Sequence, residues 1–299
     1  MKTKTCVKTM AALTAAAALA LTMNGCKPAE SGGGGGRTTI QNKGSDTMVN
    51  LAQAWAEAYS KEHPEVKIEV SGGGSGVGIA ALIKGTVDIA NSSRDIKPSE
   101  IEQTKKNTGK EPKEFTIGYD ALAVYVHKSN PLDNITTEQL AQIYQEGGKI
   151  TKWSQLGVTI PGGGDDIVRV SRQSNSGTYE FFREHVLQNK DFKLGSRDMN
   201  GSKEVVELVG NTPTAIGYSG MGYATDKVKM LKVDGVAPTV QTTLDRSYPI
   251  ARALHLYTVG EPTGAVLDYL NWVRSEPGQI IVEKTGYVPL PKEKWYKKP

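Results

Sequence analysis

Alternating strand-like and helix-like segments limit the possible folds of this chain more than any other feature. Runs rich in β-branched residues and amphipathic runs follow one another from residue 38 onwards. The predicted strands cover 38–42, 66–70 and 87–90, and the predicted helices follow residues 46 and 78 and then cover 98–106. This βαβα order predicts an α/β fold, with helices on the faces of a sheet.

Two long extended segments, 114–127 and 247–258, enclose a second block of strands and helices. The block has predicted helices at 137–145, 178–188 and 203–209 and predicted strands at 167–171 and 215–218, and further helices at 264–275 and 278–283 end the chain. This order predicts two lobes joined by two crossing strands, with a ligand cleft between the lobes. One continuous α/β domain with long edge strands is the alternative.

The first 25 residues are typical of a signal peptide. Three lysines precede an apolar run over 10–21, which is too short to span a bilayer. The sequence Met23-Asn24-Gly25-Cys26 resembles a bacterial lipoprotein cleavage box, with Met23 where leucine is usual. We predict a lipoprotein signal over 1–25 and lipidation of Cys26. A plain secretory signal with an incidental cysteine is the alternative.

Residues 26–37 include five consecutive glycines, a composition that predicts a flexible tether. Loss of residues 1–25 removes Cys6 and three lysines, so no disulfide partner remains and the net charge falls from +4 to +1. So weak a charge argues against nucleic-acid binding. No later apolar segment has membrane-spanning length. We therefore predict an exported protein, periplasmic or at the cell surface, held at a membrane only by its lipid.

Three predicted helix starts combine glycines with hydroxyl residues. They are Gly44-Ser45-Asp46-Thr47, Gly72-Gly73-Gly74-Ser75-Gly76-Val77-Gly78 and Ser176-Gly177-Thr178, the last preceded by Arg172. A helix start attracts anions through its free N–H groups and partial positive charge. Glycines let the backbone approach a ligand, and a guanidinium forms paired bonds to an oxyanion. An ordinary helix cap, a flexible loop and a surface arginine are the alternatives.

A fourth stretch, Asn91-Ser92-Ser93-Arg94-Asp95, follows a predicted strand and offers further hydroxyls and a second arginine. The glycine stretch 72–78 matches neither the dinucleotide fingerprint nor the P-loop. Two of the three helix starts fall in one predicted lobe and the third in the other, so they can meet at a cleft. Because a dehydrated oxyanion needs many donors, this set predicts oxyanion binding.

Together these stretches resemble the phosphate-binding lipoproteins of bacterial phosphate ABC transporters. The resemblance covers nearly the whole mature chain and includes 87–94, 216–218 and 286–290. It implies an α/β, two-lobed periplasmic-binding-protein fold of type II-like form, with lobe 1 over 38–122 and 252–299 and lobe 2 over 123–251. It implies binding of inorganic phosphate and its delivery to an ABC permease for uptake, with no catalysis, cofactor or metal.

Carried over position by position, the resemblance implies a set of phosphate contacts. They are Thr47, the backbone N–H of Met48, Ser75, Arg172, Ser176, Gly177 and Thr178. From the stretches 44–47 and 91–95 we add Ser45, Asp46, Ser93 and Arg94 as candidate contacts. Some relatives place an aspartate where Ser93 stands, as acceptor for the proton of hydrogen phosphate. Asp46 and Asp95 are the candidates for that acceptor here, and the choice bears on discrimination against sulfate, which has no proton to share.

Other functions stay open at this point. A secreted phosphatase or hydrolase would use Ser176 or Ser75 as nucleophile, but the chain lacks a G-x-S-x-G elbow. Its four histidines show neither a motif linking them to those serines nor metal-ligand spacing. The same fold could instead bind sulfate, molybdate, tungstate or arsenate, or could serve a sensor.

Overall fold

The computed structural model describes residues 37–297 of the 299-residue chain. The predicted signal peptide, Cys26 and the tether up to residue 36 lie outside the described part, as do residues 298 and 299. Among the described residues, no helix is both long enough and apolar enough to cross a membrane.

The described residues form strands and helices in close alternation. The strands are β1 (Thr38–Gly44), β2 (Val66–Ser71), β3 (Ile89–Ser92), β4 (Pro112–His127), β5 (Asn134–Ile135), β6 (Val168–Arg172), β7 (Arg197–Met199), β8 (Ala215–Gly220), β9 (Val228–Met230), β10 (Lys232–Val233) and β11 (Ala251–Val259). The helices are α1 (Val49–Glu62), α2 (Ser75–Ile83), α3 (Pro98–Thr108), α4 (Thr137–Tyr144), α5 (Gly177–His185), α6 (Ser202–Gly210), α7 (Val240–Leu244), α8 (Gly264–Arg274) and α9 (Glu276–Lys284).

A nine-stranded sheet runs through the described region in the order β2-β1-β3-β11-β4-β8-β6-β7, with β9 paired to β4. At one end, β1 pairs in parallel with β2 and β3, and at the other end β6 pairs in parallel with β7 and β8. The strands between them, β4 and β11, are antiparallel to each other. Parallel strands need crossover connections, and the helices supply them.

Strand β4 belongs to both ends of the sheet. Its residues 112–121 pair with β11, and its residues 122–126 pair with β8. The two long extended segments of the sequence are therefore the strands that cross between the lobes, as predicted. The fold is the two-lobed α/β fold expected from the sequence, type II-like, and the division at residues 122 and 251 stays a prediction.

Buried aromatic side chains hold helices to one another in both lobes. On α1, Trp55 is fully buried, and its indole N–H donates to the carbonyl of Gly278 in α9 at 2.8 Å. On the other side, Tyr144 of α4 packs edge-on against Phe182 of α5, with ring centroids 5.1 Å apart. These contacts fix α5 and the turn before α1, which carry candidate site residues.

The shortest elements escaped prediction. Strands β5, β7, β9 and β10 have two or three residues each, too few to show a period of two. The second extended segment was predicted from residue 247, whereas β11 begins at Ala251. The preceding Tyr248 is buried by a non-local contact, because its hydroxyl donates to the carbonyl of Leu122 at 3.0 Å.

Candidate anion-binding site

Five buried hydroxyl side chains meet where the two lobes face each other. We call Ser45, Thr47, Ser75, Ser93 and Thr178 the hydroxyl cluster. The Ser45 hydroxyl donates to Ser93 Oγ at 2.9 Å, and Ser75 Oγ lies 3.4 Å from the same atom. Across the lobes, Thr47 Oγ1 and Thr178 Oγ1 are 2.9 Å apart. Sequence positions 131 residues apart thus share one polar site.

The starts of helices α2 and α5 face each other at this cluster. Ser75 is the first residue of α2, and Gly177 is the first residue of α5. A Cβ atom on Gly177 would lie 2.3 Å from Ser75 Oγ and 2.9 Å from Ser93 Oγ, so a larger residue would force the lobes apart. The partial positive charge of both helix starts is therefore directed at the hydroxyl cluster.

Ser176 acts as the N-cap of α5. Its Oγ accepts hydrogen bonds from the N–H groups of Thr178 at 3.1 Å and Tyr179 at 3.4 Å. The side chain is buried next to the cluster, but its contact with the helix is the ordinary capping contact. The capping alternative considered from the sequence is therefore realised at this position.

Glycines before α2 let the two lobes approach at the backbone. Gly73 and Gly74 have φ values of 109° and 95°, which side chains rarely adopt. A Cβ atom on Gly74 would lie 2.4 Å from the carbonyl oxygen of Asn175, in the loop before α5. That carbonyl accepts the N–H of Gly76 at 3.0 Å, and the Asn175 amide donates to the Gly73 carbonyl at 3.0 Å.

A buried arginine and an aspartate connect the lobes beside the cluster. Arg172 Nη2 donates to Asp46 Oδ2 at 2.9 Å, and the Arg172 side chain is fully buried. The guanidinium also donates to the carbonyls of Met199 and Asn200 and to the Ser202 hydroxyl. Four of its five N–H groups therefore have acceptors among the described residues, and the fifth has none.

Burial and charge act in opposite directions on Arg172. Burial lowers the pKa of Arg172, while the carboxylate of Asp46 raises it. Because a free guanidinium titrates above pH 12, the side chain stays charged at neutral pH. The other oxygen of Asp46, Oδ1, accepts the N–H of Gly73 at 2.8 Å, which ties this carboxylate to the glycine loop.

Two buried tyrosines hold the turn that carries Asp46 and Thr47. The Tyr223 hydroxyl donates to the Asp46 carbonyl at 2.7 Å, and the Tyr287 hydroxyl donates to the Thr47 carbonyl. Burial raises the pKa of Tyr223 to about 12, so both hydroxyls keep their protons at neutral pH. The turn is therefore held by two tyrosine hydroxyls from distant parts of the chain, which no local sequence pattern indicates.

A second buried ion pair, not predicted from the sequence, lies on the crossing strands. Arg252 of β11 donates to Asp120 of β4 through Nε at 3.0 Å and through Nη2 at 2.8 Å. Both side chains are about 99% buried or more. Burial raises the pKa of Asp120, against the opposing effects of Arg252 and of the Met221 N–H. The available signal was one acidic or basic residue in an apolar stretch of each strand, Asp120 within 117–126 and Arg252 within 251–254, since charges are seldom fully buried unless paired.

The structure does not bring all predicted residues into the cluster. Arg94 is turned away and forms two bonds to Glu100, at 2.9 and 2.7 Å. The Met48 N–H donates to the Ser45 carbonyl at 3.0 Å. The Asp95 side chain is 90% exposed and lies 3.0 Å from His255, so of the two candidate acceptors only Asp46 borders the cluster. Local sequence order placed Arg94 and Asp95 next to Ser93, but their side chains point elsewhere.

The arrangement suits binding, and the histidines are engaged outside the hydroxyl cluster. The four histidines contact other groups: Glu65, Ser129, the Phe181 carbonyl and Asp95. No group of three or more histidine, cysteine, aspartate or glutamate side chains arranged to hold a metal occurs within residues 37–297. What the site offers is oriented donors at two helix starts, one free N–H of a buried guanidinium and one carboxylate.

The amino-acid sequence matches a known superfamily model and several phosphate-binding proteins. The PBP superfamily domain matches residues 29–277. The phosphate-binding protein PstS of Pseudomonas aeruginosa is 34% identical over 268 residues, which cover 84% of this chain and 83% of that protein. The phosphate-binding protein PstS of Bacillus subtilis is 33% identical over 249 residues, which cover 83% of this chain and 79% of the relative.

Solved structures agree with these sequence matches. A Clostridium perfringens protein solved with bound phosphate superimposes with a TM-score of 0.78 at 33% identity, covering 85% of this chain and 100% of that one. An ABC-type phosphate transport receptor from Vibrio cholerae superimposes with a TM-score of 0.69 at 28% identity, covering 84% of this chain and 100% of the other.

Proposed function

The chain belongs to the PBP superfamily and, within it, to the family of the phosphate-binding protein PstS, and from this premise we propose that it binds inorganic phosphate and delivers it to an ABC permease for uptake. The observation that carries the proposal is the hydroxyl cluster, which is buried between two lobes and bordered by two helix starts and Arg172. As a substrate-binding protein it is not an enzyme.

Phosphate would be held by several neutral hydrogen-bond donors and by one charged donor, Arg172. The cluster hydroxyls whose protons are not used within the cluster can donate them to phosphate, and the first turns of α2 and α5 add backbone N–H groups. Arg172 contributes a charge-assisted bond through its remaining N–H. Because four oxygens must lose their water, a site made of many donors is what a dehydrated phosphate requires.

Asp46 is the carboxylate that would accept the proton of hydrogen phosphate. Its side chain is 16% exposed and borders the cluster, whereas Asp95 is 90% exposed. A carboxylate can accept about four hydrogen bonds, and Asp46 uses two, from Arg172 and from Gly73. Sulfate has no proton to donate to it, so the remaining lone pairs would repel that anion.

Capture would proceed by closure of the lobes. Several contacts join the lobes directly, including Thr47 with Thr178 and Asp46 with Arg172. A ligand shifts an open–closed balance only through contacts that it gains in the closed state, and the cluster offers donors from both lobes. The closed form would then dock on the permease.

We place the protein outside the cytoplasm, with Cys26 as a lipid anchor. The motif 23–26, the three lysines before the apolar run and the family membership support this placement. Mass spectrometry of the protein purified from membranes tests it: diacylglyceryl modification of Cys26 is expected, and a mature chain that lacks the modification would contradict the anchor.

Calorimetric titration of the anion-stripped protein with phosphate and then with sulfate tests the proposed function. One-to-one binding of phosphate, with sulfate at least about a hundredfold weaker, is expected because of Asp46. Equal affinity for both anions would make the protein a general oxyanion carrier. Failure to bind phosphate in titration and in equilibrium dialysis would refute the proposal.

A further inference from the structure

Arg252 uses every donor of its guanidinium within the protein. It donates to Asp120 twice, to Thr178 Oγ1 at 3.1 Å, to Thr47 Oγ1 at 3.3 Å and to the Ser93 carbonyl at 3.3 Å. A guanidinium has five N–H groups, so none is left for a ligand. It therefore has no hydrogen bond left for an anion, and its charge is paired with the carboxylate of Asp120.

The contacts with Thr47 and Thr178 fix the direction of two hydroxyl protons. A hydroxyl has one proton and two acceptor positions. Each threonine oxygen accepts an N–H from Arg252, so its own proton must point away from the guanidinium. One of the two protons is used in the 2.9 Å bond between the threonines. The other has no acceptor among residues 37–297 and is left to donate to an anion.

Arg252 is itself held in place from two sides. Asp120 Oδ2 accepts both of its bonds, while Asp120 Oδ1 accepts the N–H of Met221 at 3.1 Å. The guanidinium carbon also lies 5.6 Å from the centroid of the Phe181 ring, which belongs to α5. The two residues of the pair therefore lie on the crossing strands, and Arg252 contacts Thr47 of one lobe and Thr178 of the other.

We propose that Arg252, held by Asp120, is a positioning residue that turns the Thr47 and Thr178 hydroxyls into anion donors and links the crossing strands to both lobes. The inference rests on the proposed function, because the anion in question is phosphate. It differs from the role of Arg172, which keeps an N–H for the ligand. Without Arg252, the two threonines are free to present oxygen lone pairs to the anion, and binding weakens.

A double-mutant cycle on phosphate affinity tests this. The first change is Arg252→Gln combined with Asp120→Asn, which removes the ion pair without leaving a buried charge. The second is Thr178→Val. We expect each change alone to weaken binding about 30-fold, and the combination to weaken it by about the same factor, far from the roughly 1000-fold of independent effects. Independent effects would overturn the inference.

Two further variants separate positioning from general damage to the fold. Arg252→Lys keeps the charge but loses the planar fork, and we expect it to restore part of the lost affinity. Arg94→Gln removes another buried guanidinium–carboxylate pair, one that donates nothing to the hydroxyl cluster, and should leave affinity unchanged. Circular dichroism and thermal unfolding confirm that each variant folds.

The outcomes are distinguishable. If the unchanged protein binds no phosphate, the proposed function falls, and with it this inference. If it binds phosphate and the effects of the two changes simply multiply, the inference alone falls. The inference is also overturned if Arg252→Lys binds no better than the Gln/Asn variant, or if Arg94→Gln weakens binding as much as that variant does.

Discussion

Two buried arginine–aspartate pairs flank the same hydroxyls, yet they connect different parts of the molecule. Arg172 is the last residue of the parallel strand β6 in one lobe, and it pairs with Asp46, which lies in the turn before α1 of the other lobe. Arg252 and Asp120 both lie on the crossing strands, which pair directly with each other. The first pair can exist only while the lobes are together, whereas the second does not depend on closure.

This difference separates two tasks that a binding site must perform. The interlobe pair gains its bonds on closure, so it contributes to the energy that holds the closed form together. The pair on the crossing strands does not depend on closure, so its guanidinium is already in place to orient the Thr47 and Thr178 hydroxyls when the lobes meet. Preorganised donors bind more strongly because less ordering remains to be done on binding. The following variants test this comparison, in order of decreasing expected effect on phosphate affinity.

Arg172→Ala should have the largest effect. It removes a buried charge from the site and leaves Asp46 without its partner, which costs about 3 kcal/mol, or roughly 150-fold in affinity. Calorimetric titration with phosphate measures it. Arg169→Ala, on the same strand but bonded to the Leu194 carbonyl, is the matched control. Equal affinities of the two variants would remove Arg172 from the site.

Gly177→Ala tests closure without changing any charge. Its Cβ atom would lie 2.3 Å from Ser75 Oγ, so the two helix starts cannot meet as they do here. We expect phosphate affinity to fall about 30-fold, in the range of a strained or overpacked contact of about 2 kcal/mol. Gly164→Ala, where a Cβ meets nothing within 4 Å, is the control. Unchanged binding by Gly177→Ala would mean that the lobes need not come this close.

Asp46→Asn should affect the choice of anion more than the affinity. The amide keeps an oxygen for the Gly73 N–H but no longer repels a fully deprotonated anion. We expect phosphate to bind about tenfold more weakly and the preference for phosphate over sulfate to shrink by at least as much. Asp95→Asn, with its exposed side chain, should change neither quantity. A preserved preference in Asp46→Asn would place the proton acceptor elsewhere.

Lys97→Gln should have a small and salt-dependent effect. Lys97 Nζ lies 2.5 Å from Glu180 Oε1, which joins the loop after β3 to α5 across the lobes. Because Lys97 is 42% exposed, water and salt screen the pair, and we expect only about a threefold loss of phosphate affinity at low salt. Titration at two salt concentrations measures it. A loss that does not shrink in high salt would contradict a role for the charge.

Arg94→Gln should change stability and leave affinity alone. Burial by itself would raise the pKa of Glu100, but bonds from Arg94 and from the Lys97 N–H outweigh it and lower that pKa. The pair therefore stabilises the fold above the ordinary glutamate pKa of about 4.3, and this contribution is lost as the pH falls below it.

We expect Arg94→Gln to lower the free energy of unfolding by about 2 kcal/mol at pH 7. At pH 3 the difference in unfolding free energy between the variant and the unchanged protein should be smaller. Denaturant unfolding at both pH values measures this. An equally large difference in unfolding free energy at pH 3 would show that the loss of stability does not come from the ion pair. A marked fall in phosphate affinity would return Arg94 to the site, where its sequence position had placed it.

Much of the fold was predictable because its signals are local. The β1–α1–β2–α2 order follows from residue periodicity, and the starts of α2 and α5 follow from glycine and hydroxyl residues that suit a helix N-terminus. The two long apolar segments predicted the crossing strands. The short strands β5, β7, β9 and β10 could not be predicted, since they depend on pairing with distant partners.

The candidate site also has parts that local sequence signals predict and parts that depend on distant contacts. By itself the sequence determined which residues can form helix starts and which loops are rich in glycine. It also placed Arg172 at the end of a strand, shortly before such a helix start. Only the tertiary structure decided that Arg94 faces Glu100 and that Arg252 and Asp120 enter the site. The physical reason is that a helix start is built by neighbours in sequence. The partner of a buried charge is chosen by strand register and packing between residues up to 132 positions apart.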